Sequence, residues 1–187
     1  MSMKVVTDEV RLSFPHLFEP FAMEDDEKPK YSVMILIPKK DKKTLKKIDR
    51  AIEAAKQKGI ASTWGGKQPK VIATTLKDGD EPSDSYDPDD YPERAGHWFM
   101  NVRSNQKPQV VDASVNPILD ASEIYSGVYG RVSINAFPYK FGGKAGISFG
   151  LNNVQKTRDG ESLAGGTSAD EDFDALDDFD DEDDDLI

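Results

Sequence analysis

Residues 125–151 constrain the fold more than any other part of this 187-residue chain. Odd positions there read Tyr125, Tyr129, Arg131, Ser133, Asn135, Phe137, Tyr139 and Phe141, while even ones include Val128, Val132, Ile134 and Ala136. A two-residue period is that of a strand, whose successive side chains point to opposite faces. Gly142-Gly143 is a strong signal for a two-residue hairpin turn. A turn there sets Phe141 beside Lys144, Tyr139 beside Gly146, Phe137 beside Ser148 and Asn135 beside Gly150. The same register places Ile147, Phe149 and Leu151 beside Pro138, Ala136 and Ile134, so both strands agree on the core face. A slip of one residue would turn every apolar side chain outward.

The rest of the body reads as mainly β with one inserted helix. Residues 3–14 alternate loosely and stop at Pro15, which suggests a first strand. Residues 31–37, between Pro29 and Pro38, form an apolar run long enough for a core strand and too short for a buried helix. From residue 41 to 58, Leu45, Ile48, Ala51, Ile52 and Ala55 recur at helical spacing, with Asp41 as cap and Gly59 as stop. Lys42, Lys43, Lys46, Lys47, Arg50, Lys56 and Lys58 read as the solvated face of that helix. Residues 60–96 read as a long loop with one strand near residues 71–76, and a further strand is expected at residues 97–103.

Charge divides the chain. The last eighteen residues carry twelve of the 35 acidic side chains and no basic one, leaving 23 acids against all 24 Lys and Arg, so the first 169 residues carry about +1. We expect a binding domain over residues 1–160, a Gly/Ser-rich linker over 161–169 and a disordered acidic tail over 170–187. A flexible coil of the 27 residues from 161 onward reaches roughly 30 Å, enough to sweep one face of its own domain. With no cysteine, thiolate metal sites and disulfides are excluded. No stretch approaches the ~20 apolar residues of a membrane span, so no membrane is expected and a cytoplasmic location is.

Catalytic patterns are missing. There is no phosphate-cradling Gly-rich loop, His16 between Pro15 and Leu17 reads as structural, and only His97 accompanies it. The acids of residues 78–93 do not spell a calcium loop, because Pro82 occupies a ligand slot and Ser83 replaces the turn glycine. We expect no enzyme, no metal and no cofactor.

What the hairpin leaves is a face of rings opposite Gly, Ser and Lys. Such a face is either covered by a helix or loop, or it takes a partner. Planar bases suit it, because stacking contributes about 1–3 kcal/mol per base and tolerates any sequence. Tyr125, Tyr129, Phe137 and Tyr139, with Arg131 and Lys144 for phosphates, are therefore candidate nucleic-acid contacts. Phe99, Arg103 and Lys107 repeat the pattern, as do Trp64, Lys67 and Lys70 around Gly65-Gly66.

Several long motifs then occur in one order: RLSFPHLFEP, KYSVMILIPK, WGGKQP, LKDGDE, AGHWFMNVRSNQKPQVVD, SEIYSGVYGRVSINAFPY and GISFGLNNVQKTRDGESLAGG. Over residues 10–169 the chain resembles the single-stranded DNA-binding proteins of tailed bacteriophages and prophages. The resemblance implies an OB-fold-like five-stranded barrel with the helix inserted between strands, coating single-stranded DNA during phage replication and recombination in the bacterial host cytoplasm. The tail is similar to the acidic tip of bacterial single-stranded DNA-binding proteins, which recruits replication and repair enzymes. Asp183, Asp184, Asp185, Leu186 and Ile187 are the corresponding partner-binding residues, with Leu-Ile where those proteins end in Pro-Phe. Three other readings stay open. RNA is the nearest, since stacking hardly separates it from DNA; an acidic interaction module mimicking DNA and a carboxylate-dependent nuclease are the others.

Overall fold

The computed structural model describes residues 2–22, 24–25, 27–164 and 172–176. Among them are nine strands: β1 (Lys4–Val6), β2 (Val10–Phe21), β3 (Lys30–Pro38), β4 (Ile72–Thr74), β5 (Lys77–Asp78), β6 (His97–Ser104), β7 (Gln109–Val111), β8 (Tyr129–Phe141) and β9 (Lys144–Arg158). Helix α1 (Lys42–Lys58) lies between β3 and β4. Five strands close on themselves, because β2, β3, β6 and β9 pair in that order and β8 pairs with both β9 and β2. Every pairing in the ring is antiparallel except β6 with β9, which meet in parallel at Arg103 and Gly150. A closed ring in which the first strand meets the second and fourth, and the third meets the fifth, is an OB-type barrel.

The β8–β9 hairpin has the register that the alternation requires, from Phe141 opposite Lys144 through Tyr139 and Gly146, Phe137 and Ser148, to Asn135 and Gly150. Gly142 and Gly143 turn at φ 55° and 79°, the left-handed pair that a tight hairpin needs. Inside the barrel Val33, Ile35, Met100, Val102, Ile134, Ile147 and Phe149 are buried, and α1 adds Ile48, Ala51 and Ala55. Asp41 caps α1 by accepting from the Thr44 amide at 3.0 Å.

Two expectations are corrected. Residues 3–14 form two strands rather than one, separated where buried Thr7 exchanges hydrogen bonds with Val132 of β8. β2 does not stop at Pro15; it runs on to Phe21 through register shifts between Ser13 and His16 and between His16 and Phe21. Bulges of this kind leave room for prolines that a regular ladder would refuse. Gly59 ends α1 as expected, as its C-cap, though without turning left-handed: it stays at φ −62° and the chain continues into a wider turn over Gly59–Thr63. Its smallness serves packing, since a Cβ there would stand 2.6 Å from the Trp64 ring.

The loop between β5 and β6 folds back over the barrel. Lys39 closes it, with its ammonium 2.6 Å from Asp78 Oδ1 and 2.7 Å from Asp80 Oδ2. Hydrogen bonding to Lys39 holds both carboxyls below their ordinary range, so the clamp is intact at neutral pH and is released as pH falls through that lowered range. The folded loop buries Tyr86 against Leu36 and Phe99 on the outside of the barrel. That cover explains why residues 31–37 are apolar on both faces.

Residues 161–163, expected in the linker, are seated on the barrel. The Glu161 carbonyl accepts from Arg11 Nη2 at 2.6 Å, the Leu163 amide donates to the Ser126 carbonyl at 2.8 Å, and the Leu163 side chain joins Met34 and Tyr91 beside the outer cluster. Of the tail, residues 172–176 are described, with Phe173 and Leu176 exposed. The tip residues Asp183, Asp184, Asp185, Leu186 and Ile187 lie outside the described residues. Among the described residues no helix is long and apolar enough to cross a membrane.

Candidate nucleic-acid interface

The bulges of β2 re-aim its side chains. Phe14 sits at φ 47°, a conformation uncommon for a bulky residue, with its amide donating to Ser126 Oγ at 2.8 Å and its ring half exposed. His16 and Phe21 stack on one another at 4.3 Å between ring centroids and 8° between planes. Burial lowers the His16 pKa, so at neutral pH this ring offers a π-face rather than a charge. These rings line a groove of about 610 Å³ together with Ser32 and Met34 of β3, Asn101 and Arg103 of β6, and Tyr91 and Arg94. Lys28 and Lys30 rim it, and Glu27 stands 3.7 Å from Arg103 Nη1. In the amide orientation that satisfies both its groups, Asn101 donates to the Val33 carbonyl and accepts from Arg103 Nε, each at 3.1 Å.

From Arg103 the outer surface passes across the parallel pairing to Gly150 of β9 and on to β8. Phe137 lies beside Gly150, its ring edge 3.8 Å from where a Cβ would stand, and remains 44% exposed. Tyr139 lies against Gly146, where any Cβ would run into the phenol ring. Exposed Phe141 ends the strand. Beyond it a second cleft, about 750 Å³, gathers Lys67, Lys70, Lys140 and Lys144 around Gly143 and Pro69. None of these four lysines pairs with a carboxylate among the described residues. The groove, the ring track and the lysine cleft follow one another across β6, β9 and β8.

The candidates from the sequence are thus sorted. Arg103, Phe137, Tyr139, Lys144, Lys67 and Lys70 fall on this path. Trp64 lines the lysine cleft but offers it little of its ring: it is 7% exposed, packs in the main core, and its indole N–H donates to the Tyr139 carbonyl at 3.0 Å. Phe99 points outward as expected but is 5% exposed, because Tyr86 and Arg94 cover it. Tyr125 and Tyr129 hold down the chain after β9 instead of standing free. The Tyr125 hydroxyl accepts from the Gly160 amide and is hydrogen bonded to Asp159 Oδ1, both at 3.0 Å. The Tyr129 ring lies between Arg158 at 3.8 Å and Arg11 at 5.5 Å. Arg131 is exposed, with Nε donating to the Thr7 carbonyl at 3.0 Å. Lys107 reaches over the Phe18 ring at 5.9 Å. The sequence reading missed Phe14, His16, Phe21, Lys28, Lys30, Tyr91 and Arg94. Pro15 and Pro20 were the available signal, since prolines within a strand mark bulges or edges.

In OB-type barrels the face of the second and third strands, with the loops after the first and fourth, takes oligonucleotides. Here those parts are β3, β6, the described residues between β2 and β3, and the Gly142-Gly143 turn; Lys28, Lys30, Ser32, Met34, Asn101 and Arg103 of the groove belong to them, and Gly143 lies in the lysine cleft. Fold and surface together are those of an OB-type single-strand-binding protein. The chain belongs to the family described as Enterobacter phage Enc34, ssDNA-binding protein, which matches residues 3–187. The solved structure of the single-stranded DNA-binding protein of bacteriophage Enc34 in complex with ssDNA is 30% identical, with a TM-score of 0.72 over 87% of this chain and 90% of that one. Protein p50 of Acyrthosiphon pisum secondary endosymbiont phage 1 is 31% identical over 185 residues, covering 93% of this chain and 94% of its own. The single-stranded DNA-binding protein gp2.5 of bacteriophage T7, 15% identical, shares the fold with a TM-score of 0.62 over 93% of this chain and 96% of that one.

Proposed function

We propose that this chain coats single-stranded DNA with little sequence preference during phage DNA replication and recombination in the host cytoplasm. The observation that carries the reading is the path from the Arg103 groove, on the OB face where oligonucleotides lie, over Phe137 and Tyr139 to the four-lysine cleft beside the turn after the fourth barrel strand. Rings for bases and cations for phosphates share that path. Affinity is expected to fall with salt, log K against log salt having a slope of about −0.7 per phosphate neutralised. A titration whose midpoint ignores salt would contradict phosphate neutralisation.

The acidic tail is part of the same mechanism in this reading. Leu163 packs against the same outer cluster as Met34 and Tyr91, both of which line the groove, so residues 161–163 run close to it. Its acids compete with DNA for the cations, and DNA frees the tail, including exposed Phe173 and Leu176, for replication and recombination proteins. Removing residues 170–187 is expected to tighten single-strand binding at low salt and to matter little at high salt, where exposed charges are screened within about 3 Å at 1 M. Equal or weaker low-salt affinity of the shortened chain in a fluorescence titration would reject the competition.

A further inference from the structure

We propose that Arg94 is the fixed phosphate receptor of the groove, taking one phosphodiester of the bound strand; the assignment rests on the single-strand-binding reading above. Arg94 is 5% exposed yet lines the groove. Its guanidinium is held by three π-faces, 3.8 Å from the Tyr91 centroid, 4.5 Å from Phe99 and 5.3 Å from Tyr86. Rings stabilise a cation without neutralising it. No carboxylate pairs with Arg94 among the described residues, and its Nε is a buried donor with no acceptor. A buried charge ordinarily has a counter-charge, and a buried N–H has an acceptor. A phosphate at the groove-facing edge supplies the counter-charge, and the planar guanidinium fork matches its oxygens.

The surroundings favour an anion. Lys28, Lys30 and Arg103 share the groove with one acid among the described residues, Glu27, which leans toward Arg103. The stacked His16 and Phe21 rings, which line the same groove, give the adjoining base a platform. The position of Arg94 is set by backbone rather than by a flexible stem: its amide donates to the Tyr91 carbonyl at 3.0 Å, and its carbonyl packs so closely on Gly79 that no Cβ fits there. The three-ring cage therefore holds the guanidinium ready before DNA arrives.

The test uses the full chain, a dT oligomer and an abasic oligomer of the same length, titrated by fluorescence anisotropy over a range of salt. Arg94→Met is expected to weaken both oligomers by about tenfold and by the same factor, and to reduce the salt slope by about 0.7. Loss confined to the dT oligomer would mean that Arg94 meets a base and would overturn the phosphate assignment; unchanged affinity and slope would overturn it altogether. Failure of the unmutated chain to bind either oligomer would instead sink the single-strand-binding reading. Because Arg94→Met disturbs the cage, a second measurement is made on the unmutated chain. Its Arg94 Nε–H proton resonance, identified by its absence from Arg94→Lys, is expected to move and to exchange more slowly when the abasic oligomer is added. An unmoved resonance at saturation would also overturn the proposal.

Discussion

Trp64→Ala is expected to destabilise the domain by about 3–5 kcal/mol, the usual cost of emptying a large aromatic from a core. The ring is buried with the main apolar cluster, presses on Gly59 at the end of α1 and ties that turn to β8 through the Tyr139 carbonyl. Removing it leaves a cavity between helix and barrel and a carbonyl without its donor. Urea denaturation of the variant and the unmutated chain measures this directly. An unchanged midpoint together with lost DNA binding would restore the stacking role that the sequence suggested for Trp64.

Phe137→Ala is expected to weaken single-strand binding by about 5–150-fold, the equivalent of the ~1–3 kcal/mol lost with one stacked base. With 44% of its surface exposed and Gly150 beside it, Phe137 contributes little to the core, so the thermal midpoint should hardly move. Tyr129→Ala should behave in the opposite way. That ring is gripped by Arg158 and Arg11 under residues 158–161, and its loss unseats the segment leading to Leu163. Anisotropy titrations paired with melting curves separate the two variants. A Phe137→Ala protein that binds with native affinity would place the DNA elsewhere on the barrel.

How far the chain could be read in advance follows from the reach of each signal. From Ile134 to Leu151 the β8–β9 hairpin is legible to the residue because alternation and a Gly-Gly turn are local and reinforce each other; before Ile134 a register shift breaks the alternation, and Tyr125 precedes the strand. α1 was legible for the same reason, from its apolar stripe and Asp41. Local patterns do not report what comes to lie on top. Phe99 was assigned to the correct face, yet its cover is made by Tyr86 and Arg94 of a loop fastened by the distant Lys39. Trp64, beside Gly65-Gly66 and Lys67, looks exposed in sequence; its acceptor is 75 residues away on β8. The groove wall was missed because Pro15 reads as the end of a strand, whereas the barrel absorbs it and Pro20 in bulges that turn Phe14, His16 and Phe21 outward. The cations of the lysine cleft were partly found, because Lys67, Lys70 and Lys144 were judged by their neighbours in sequence and Lys140 was not.

The central claim is single-strand binding by rings and cations together, and the most direct measurement is an anisotropy titration of a labelled dT oligomer with the full chain at low and high salt, in competition with duplex DNA and with RNA of the same sequence. Tight binding that weakens as salt rises, is displaced by unlabelled single strand and resists the duplex is the expected result. No binding, or displacement by duplex as readily as by single strand, would contradict it.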